Sequence, residues 1–127
     1  MKRNLLEIYA LAVCFFTVAC FVVVAGIGIY DIVQIADPEF TLNSYLYDQY
    51  QSNDEYRRHQ AAADQRLETL SEDELTKHRE AAYARALKSE RHDGQQSLLR
   101  MLIIMLVDTI AFVIHWRLAK RVRESGA

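Results

Sequence analysis

The feature that most constrains this chain is a run from Ile8 to Tyr30, 23 residues without a formal charge. Wound as a helix it is roughly 34 Å long, enough to cross a hydrocarbon core of about 30 Å. Its Val, Phe and Ile are mediocre helix formers in water. In lipid every backbone N–H and C=O must be paired within the segment, and a helix does this. The run is read as a transmembrane helix over 8–30, its apolar pattern continuing to 36 through Ile32, Val33 and Ile35. The rival is a cleaved secretory signal, with Lys2 and Arg3 as its positive start and Val23–Val24–Ala25 as small residues at a cleavage position. The run is longer than the apolar core of about 7–15 residues found in such signals.

A second apolar stretch, Ser97 to Trp116, has 20 residues and carries Arg100, Asp108 and His115. Arg100 lies near one end, where its aliphatic stem lets the guanidinium snorkel to the headgroups. His115 and Trp116 lie at the other end, where amphipathic rings favour the interface. A buried helix of a soluble domain is the bland alternative, but the chain has no other apolar layer to cover it. The expected fold is therefore an all-α membrane protein, two transmembrane helices in a hairpin joined by a mostly helical extramembrane segment.

Average composition conceals this layout. The chain is 51% hydrophobic and 25% charged with a net charge of −2, figures that suit an ordinary soluble domain. They arise because apolar residues gather at the two ends and charges in the middle. A net charge so near zero gives no argument for a nucleic-acid partner.

Basic flanks set the expected threading. Lys2 and Arg3 precede the first span, and Arg117, Lys120, Arg121 and Arg123 follow the second. The expectation is an N-in, C-in protein of a cell (inner) membrane, with a bacterial source suggested by the compact plan. It has a cytoplasmic start over 1–7, an extracytoplasmic segment over 31–96 and a basic cytoplasmic tail over 117–127. The tail is read as fixing topology, ahead of any role in lipid binding.

The segment over 31–96 holds 14 acids against eight bases. Pro38 should end the first helix. Capping boxes at Ser52/Glu55 and Ser71/Glu74 predict helix starts, one helix from about Asn53 to Gln65 and another from about Glu72 to Arg91. Asp93–Gly94 then reads as a cap or kink before the second span, or, if weak, as a point where one helix runs on. With few large aliphatics, this segment is short of core. It is expected to be ordered by packing on its own copies, on a partner subunit or on the membrane. Tyr45, Tyr47, Tyr50 and Tyr56 form a candidate aromatic partner surface; an interfacial aromatic belt is the simpler reading.

Asp108 is the sharpest chemical signal. A carboxylate at mid-span costs about 2.5–3.5 kcal/mol to insert, so intramembrane acids usually face protein and mark ion or proton pathways. His115 follows on nearly the same face, about 10 Å toward the cytoplasm. In an antiparallel hairpin Thr17 is the expected hydrogen-bond partner. Interhelical glue is the plain reading of the acid, and an ion or proton site made of Asp108, His115 and Thr17 the functional one. Ala10, Cys14, Thr17, Phe21, Val24 and Gly28 form a stripe of mostly small residues suited to close helix packing. Cys14 and Cys20 lie on different faces of one helix and are read as small buried hydrophobes.

His59, His78 and His92 do not assemble a metal site, and no catalytic or phosphate-binding motif is present. The expectation is a non-catalytic protein without cofactor or metal. Its partners are the lipid bilayer and either copies of itself or a larger membrane complex, so that it acts through association as an accessory subunit or self-assembling scaffold. The alternative is a homo-oligomeric ion channel or proton-linked pore lined by Asp108.

Overall fold

The computed structural model describes residues 2–60 and 63–125, with side chains from Leu5 onward. Among the described residues the chain is helical, without strands. Helix α1 spans Lys2–Ala36, α2 Pro38–Thr41, α3 Ser44–Gln49 and α4 Asn53–Gln60; a 3-10 turn over Gln65–Thr69 precedes α5, Glu72–Glu124. Two of these are long and apolar enough to cross a membrane. Their most apolar 18-residue windows have mean hydropathies of 2.7 and 2.2 and are only 17% and 0% buried, for α1 and α5 respectively. The side chains of Lys2 and Arg3, on which the inward reading of the N-terminus leans, lie outside the described residues.

Local chemistry accounts for the element boundaries. Pro38 has no N–H to extend α1, and Asp37 turns the chain by accepting a hydrogen bond from the Phe40 amide at 3.4 Å on Oδ1. The Ser52 hydroxyl accepts from the Glu55 amide at 3.2 Å. At Ser71 the box closes in both directions: Ser71 Oγ accepts from the Glu74 amide at 3.4 Å and Glu74 Oε2 accepts from the Ser71 amide at 3.2 Å.

One boundary differs from the sequence reading, and one that it leaves open is settled. Helix α4, expected to reach about Gln65, is described over Asn53–Gln60, and the Gln60 carbonyl accepts from the amides of Ala63 and Asp64 at 2.9 Å each. Ala61 and Ala62, inside the expected helix, lie outside the described residues. Asp64 then caps the 3-10 turn through the Arg66 amide, which delivers Leu67 to the core. The boundary left open is Gly94, where α5 runs on unbroken. A Cβ there would sit 3.2 Å from Cβ and Cγ of Gln34. This glycine permits a close approach between segments and does not end a helix.

The chain divides into two compact units: Met1–Asp31 with Gln96–Ala127, and Ile32–Gln95. The core of the second unit is small, as the scarcity of aliphatics implies. It consists of Tyr56, Leu67 and Leu75, with Tyr50, Leu70 and Ala82 packed against it. Polar contacts supply much of the rest. Arg79 donates from Nε to Asn53 Oδ1 at 3.0 Å and from Nη1 to the Tyr50 carbonyl. Asn53 Nδ2 in turn donates to Glu72 Oε2 at 3.0 Å and to Thr76 Oγ1 at 2.8 Å, tying the start of α4 to the start of α5.

Candidate functional site

In the first unit, contacts between α1 and the C-terminal part of α5 run in opposed order. Glu7 pairs with Arg123 at 3.2 Å, and the Tyr9 and His115 rings meet edge to face at 6.0 Å. Cys14 Sγ lies 4.0 Å from the Phe112 carbonyl oxygen, the Cys20 thiol neighbours the Asp108 carboxyl, and a Cβ on Gly28 would lie 3.8 Å from Leu98. On α5 the residues Leu98, Met101, Met105, Asp108, Phe112, His115, Ala119 and Val122 are all buried or half-buried, spaced alternately by three and four. On α1 the same alternation links Ala10, Cys14, Thr17, Val24 and Gly28, with Ala10 at 0% and Cys14 at 6% exposure. A mean spacing of 3.5 on both sides is the pattern of knobs-into-holes packing. Phe21, on the same stripe, is 40% exposed because its ring borders a cleft.

That cleft, about 170 Å³, is lined by Thr17, Val18, Phe21, Asp108, Thr109 and Phe112. Thr17 is beside Asp108, yet it is not the partner the sequence suggests. Its hydroxyl donates to the Cys14 carbonyl at 2.9 Å, a bond available within its own helix. Cys20 meets the carboxyl instead. A thiol is a weak donor, and Asp108 Oδ2, buried as an atom, has no hydrogen-bond partner among the described residues. His115, one heptad on, donates from Nδ1 to the Ala111 carbonyl at 2.8 Å. It packs on Tyr9 and does not join Asp108.

Asp31 extends the α1 stripe and is 2% exposed, with Oδ2 lacking a hydrogen-bond partner among the described residues. The sequence reading counts it among the 14 acids of the segment over 31–96. Its spacing seven residues after Val24 is the signal that puts it on the inner face.

In the second unit the tyrosines separate. Tyr45 and Tyr47 are exposed at 59% and 37%, while Tyr50 is half-buried. Tyr56 is corrected from partner surface to core: it is 3% exposed, packs on Leu67 and Leu75, and its hydroxyl bonds His78 Nδ1 at 2.9 Å. Burial raises its phenol above the ordinary range, reinforced by neighbouring Tyr50. The Tyr83 hydroxyl is pushed up to about 12 by burial first and then by Glu39, whose carboxylate lies close by but outside direct hydrogen-bond geometry. Tyr45, His59 and Glu55 form a short polar line, with Tyr45 Oη 3.0 Å from His59 Nδ1 and His59 Nε2 3.6 Å from Glu55 Oε2. The i, i+4 spacing of Glu55 and His59 was legible; the approach of Tyr45 from α3 was not.

Among the described residues no group of three or more His, Cys, Asp or Glu is placed to hold a metal ion. Compared with family models, with curated proteins and with solved structures, the chain matches none.

Proposed function

We propose that the chain is a small, non-catalytic integral membrane protein that acts through association, as an accessory subunit or a self-assembling scaffold. In this reading α1 and the apolar part of α5 form an antiparallel two-span hairpin. Both ends lie in the cytoplasm and residues 31–96 outside, in an inner membrane of bacterial type. Support for insertion comes from the outward-facing large apolar residues, such as Phe15 and Phe16 at 70% exposure each and Leu106 at 62%. Water would penalise a patch of this extent heavily, whereas lipid accepts it.

The observation that carries association is Asp108 Oδ2, a buried carboxyl oxygen without a donor among the described residues, beside a cleft at mid-span depth. An acid in hydrocarbon is costly until a donor reaches it, and a helix of a second subunit laid along this cleft supplies one. The Tyr45 and Tyr47 surface gives the outer unit a further contact face. The same oxygen also supports a second reading, a homo-oligomeric pore in which several copies present Asp108 to an axis and the carboxyl takes a proton or a cation.

Mass measurement of the full chain in nanodiscs tests both. Association predicts a defined complex, with itself or with a co-purifying protein, that Asp108→Leu weakens and Asp108→Asn retains. The pore reading predicts a closed ring whose ion flux is lost in Asp108→Asn. A monomer that recruits nothing, with residues 32–95 stably folded, would overturn the association reading.

A further inference from the structure

At the inner end of the first unit a second cavity, about 310 Å³, is lined by Leu11, Trp116, Ala119, Lys120, Arg123 and Glu124. Its two kinds of wall are segregated along α5. Trp116 and Ala119, with Leu11 from α1, make an apolar floor. Lys120 and Arg123, one and two turns beyond Trp116, make a cationic rim about 6–10 Å further along the axis. That offset matches the step from the interfacial level, where tryptophan settles, to the phosphate layer.

We propose that this cavity holds one anionic phospholipid, its glycerol and upper acyl chain on Leu11, Trp116 and Ala119 and its phosphodiester between the Lys120 ammonium and the Arg123 guanidinium. The inference rests on the membrane-spanning reading above. Both cations already have carboxylate neighbours, Lys120 Nζ with Glu124 Oε1 at 3.8 Å and Arg123 Nε with Glu7 Oε1 at 3.2 Å. The side chains of Lys120 and Arg123 are 68% and 69% exposed, and ion pairs so open to solvent are weak. A phosphate can therefore take their remaining donors. Charge favours an anionic over a zwitterionic headgroup: over residues 117–124 four bases, Arg117, Lys120, Arg121 and Arg123, face one acid, Glu124.

Trp116 is the only tryptophan, so its fluorescence reads the site directly. The full chain is reconstituted in vesicles of phosphatidylcholine and phosphatidylglycerol in which either one or the other lipid carries brominated acyl chains. Brominated phosphatidylglycerol should quench Trp116 with an apparent affinity about fivefold above that of brominated phosphatidylcholine. Lys120→Gln with Arg123→Gln should bring the two lipids to parity, and Arg117→Gln with Arg121→Gln should leave the preference standing. Equal quenching in the native chain overturns the site. So does a preference that falls equally in both double variants, which would mark a diffuse basic surface, or one erased by millimolar inorganic phosphate, which would mark a free-anion site. Absence of quenching by either lipid is a separate failure, of the membrane reading itself.

Discussion

Gln34 Nε2 donates to Glu90 Oε1 at 2.8 Å, and the same Gln34 side chain packs on the bare Cα of Gly94, one turn further along α5. One residue of α1 thus reads two positions of α5, and the absence of a Cβ at Gly94 is what admits it.

Gly94→Leu should therefore destabilise the unit over 32–95, by about 1–3 kcal/mol as overpacking commonly does. A single methyl already meets Cβ and Cγ of Gln34, which cannot swing aside as a side-chain tip can. Hydrogen exchange around Glu90 should accelerate. A variant with unchanged exchange there would show that the contact holds nothing.

Leu75→Ala removes the one large side chain at 0% exposure in the core of Tyr56, Leu67 and Leu75. The expected cost is about 2–4 kcal/mol. In a core of three residues that is enough to release Tyr56 and Tyr50. Near-ultraviolet circular dichroism from the tyrosines should collapse, while the far-ultraviolet helical signal of the long helices persists.

Glu72 gives the unit over 32–95 an acid sensitivity. Hydrogen bonds from Asn53 first and Arg57 second hold its carboxyl below the usual range. A carboxyl lowered by folding stabilises above its unfolded pKa, and this contribution is lost as pH falls through the folded value. Amide protection in α4, taken relative to the intrinsic exchange rate at each pH, should fall as the pH drops from about 5 to about 3. Glu72→Gln should be looser at neutral pH and flatter across that window.

Tyr83 acts at the opposite limit. Its phenol is raised from 10.0 to about 12, so it stays neutral in the fold after the unfolded chain has begun to ionise. A group raised by folding contributes fully below its unfolded pKa, and the contribution is withdrawn between pH 10.0 and about 12. Phenolate absorbance should show one late-titrating tyrosine that Tyr83→Phe deletes, and the variant should lose less stability over that window than the native chain does.

Much of the architecture is a local property and can be read from the residues in order. The two apolar stretches follow from the uncharged run Ile8–Tyr30 and from Ser97–Trp116. The end of α1 follows from Pro38, and the starts of α4 and α5 from Ser52 and Ser71, because caps and proline act within a few residues of themselves. The α1 stripe was visible as a spacing, since helical periodicity is set by backbone geometry alone. Asp31 could have been added to it on the same ground.

What tertiary structure decided is which distant group each side chain meets. Depth along the span singles out Thr17 as the partner of Asp108; the rotation of α1 about its axis instead sets Cys20 beside the carboxyl and leaves Thr17 bonded to its own backbone. Gly94 has the residue type of a helix end, and only the arrival of Gln34, sixty positions earlier in the chain, makes it a contact. Tyr56 looks like its neighbours Tyr45 and Tyr47 until Leu67 and Leu75 close over it. Sequence by itself determined the starts and the apolar period of the helices, because those depend on near neighbours. The packing partners of Asp108, Gly94 and Tyr56 depend on residues brought close only by the chain's return, and that physical difference separates the two kinds of knowledge.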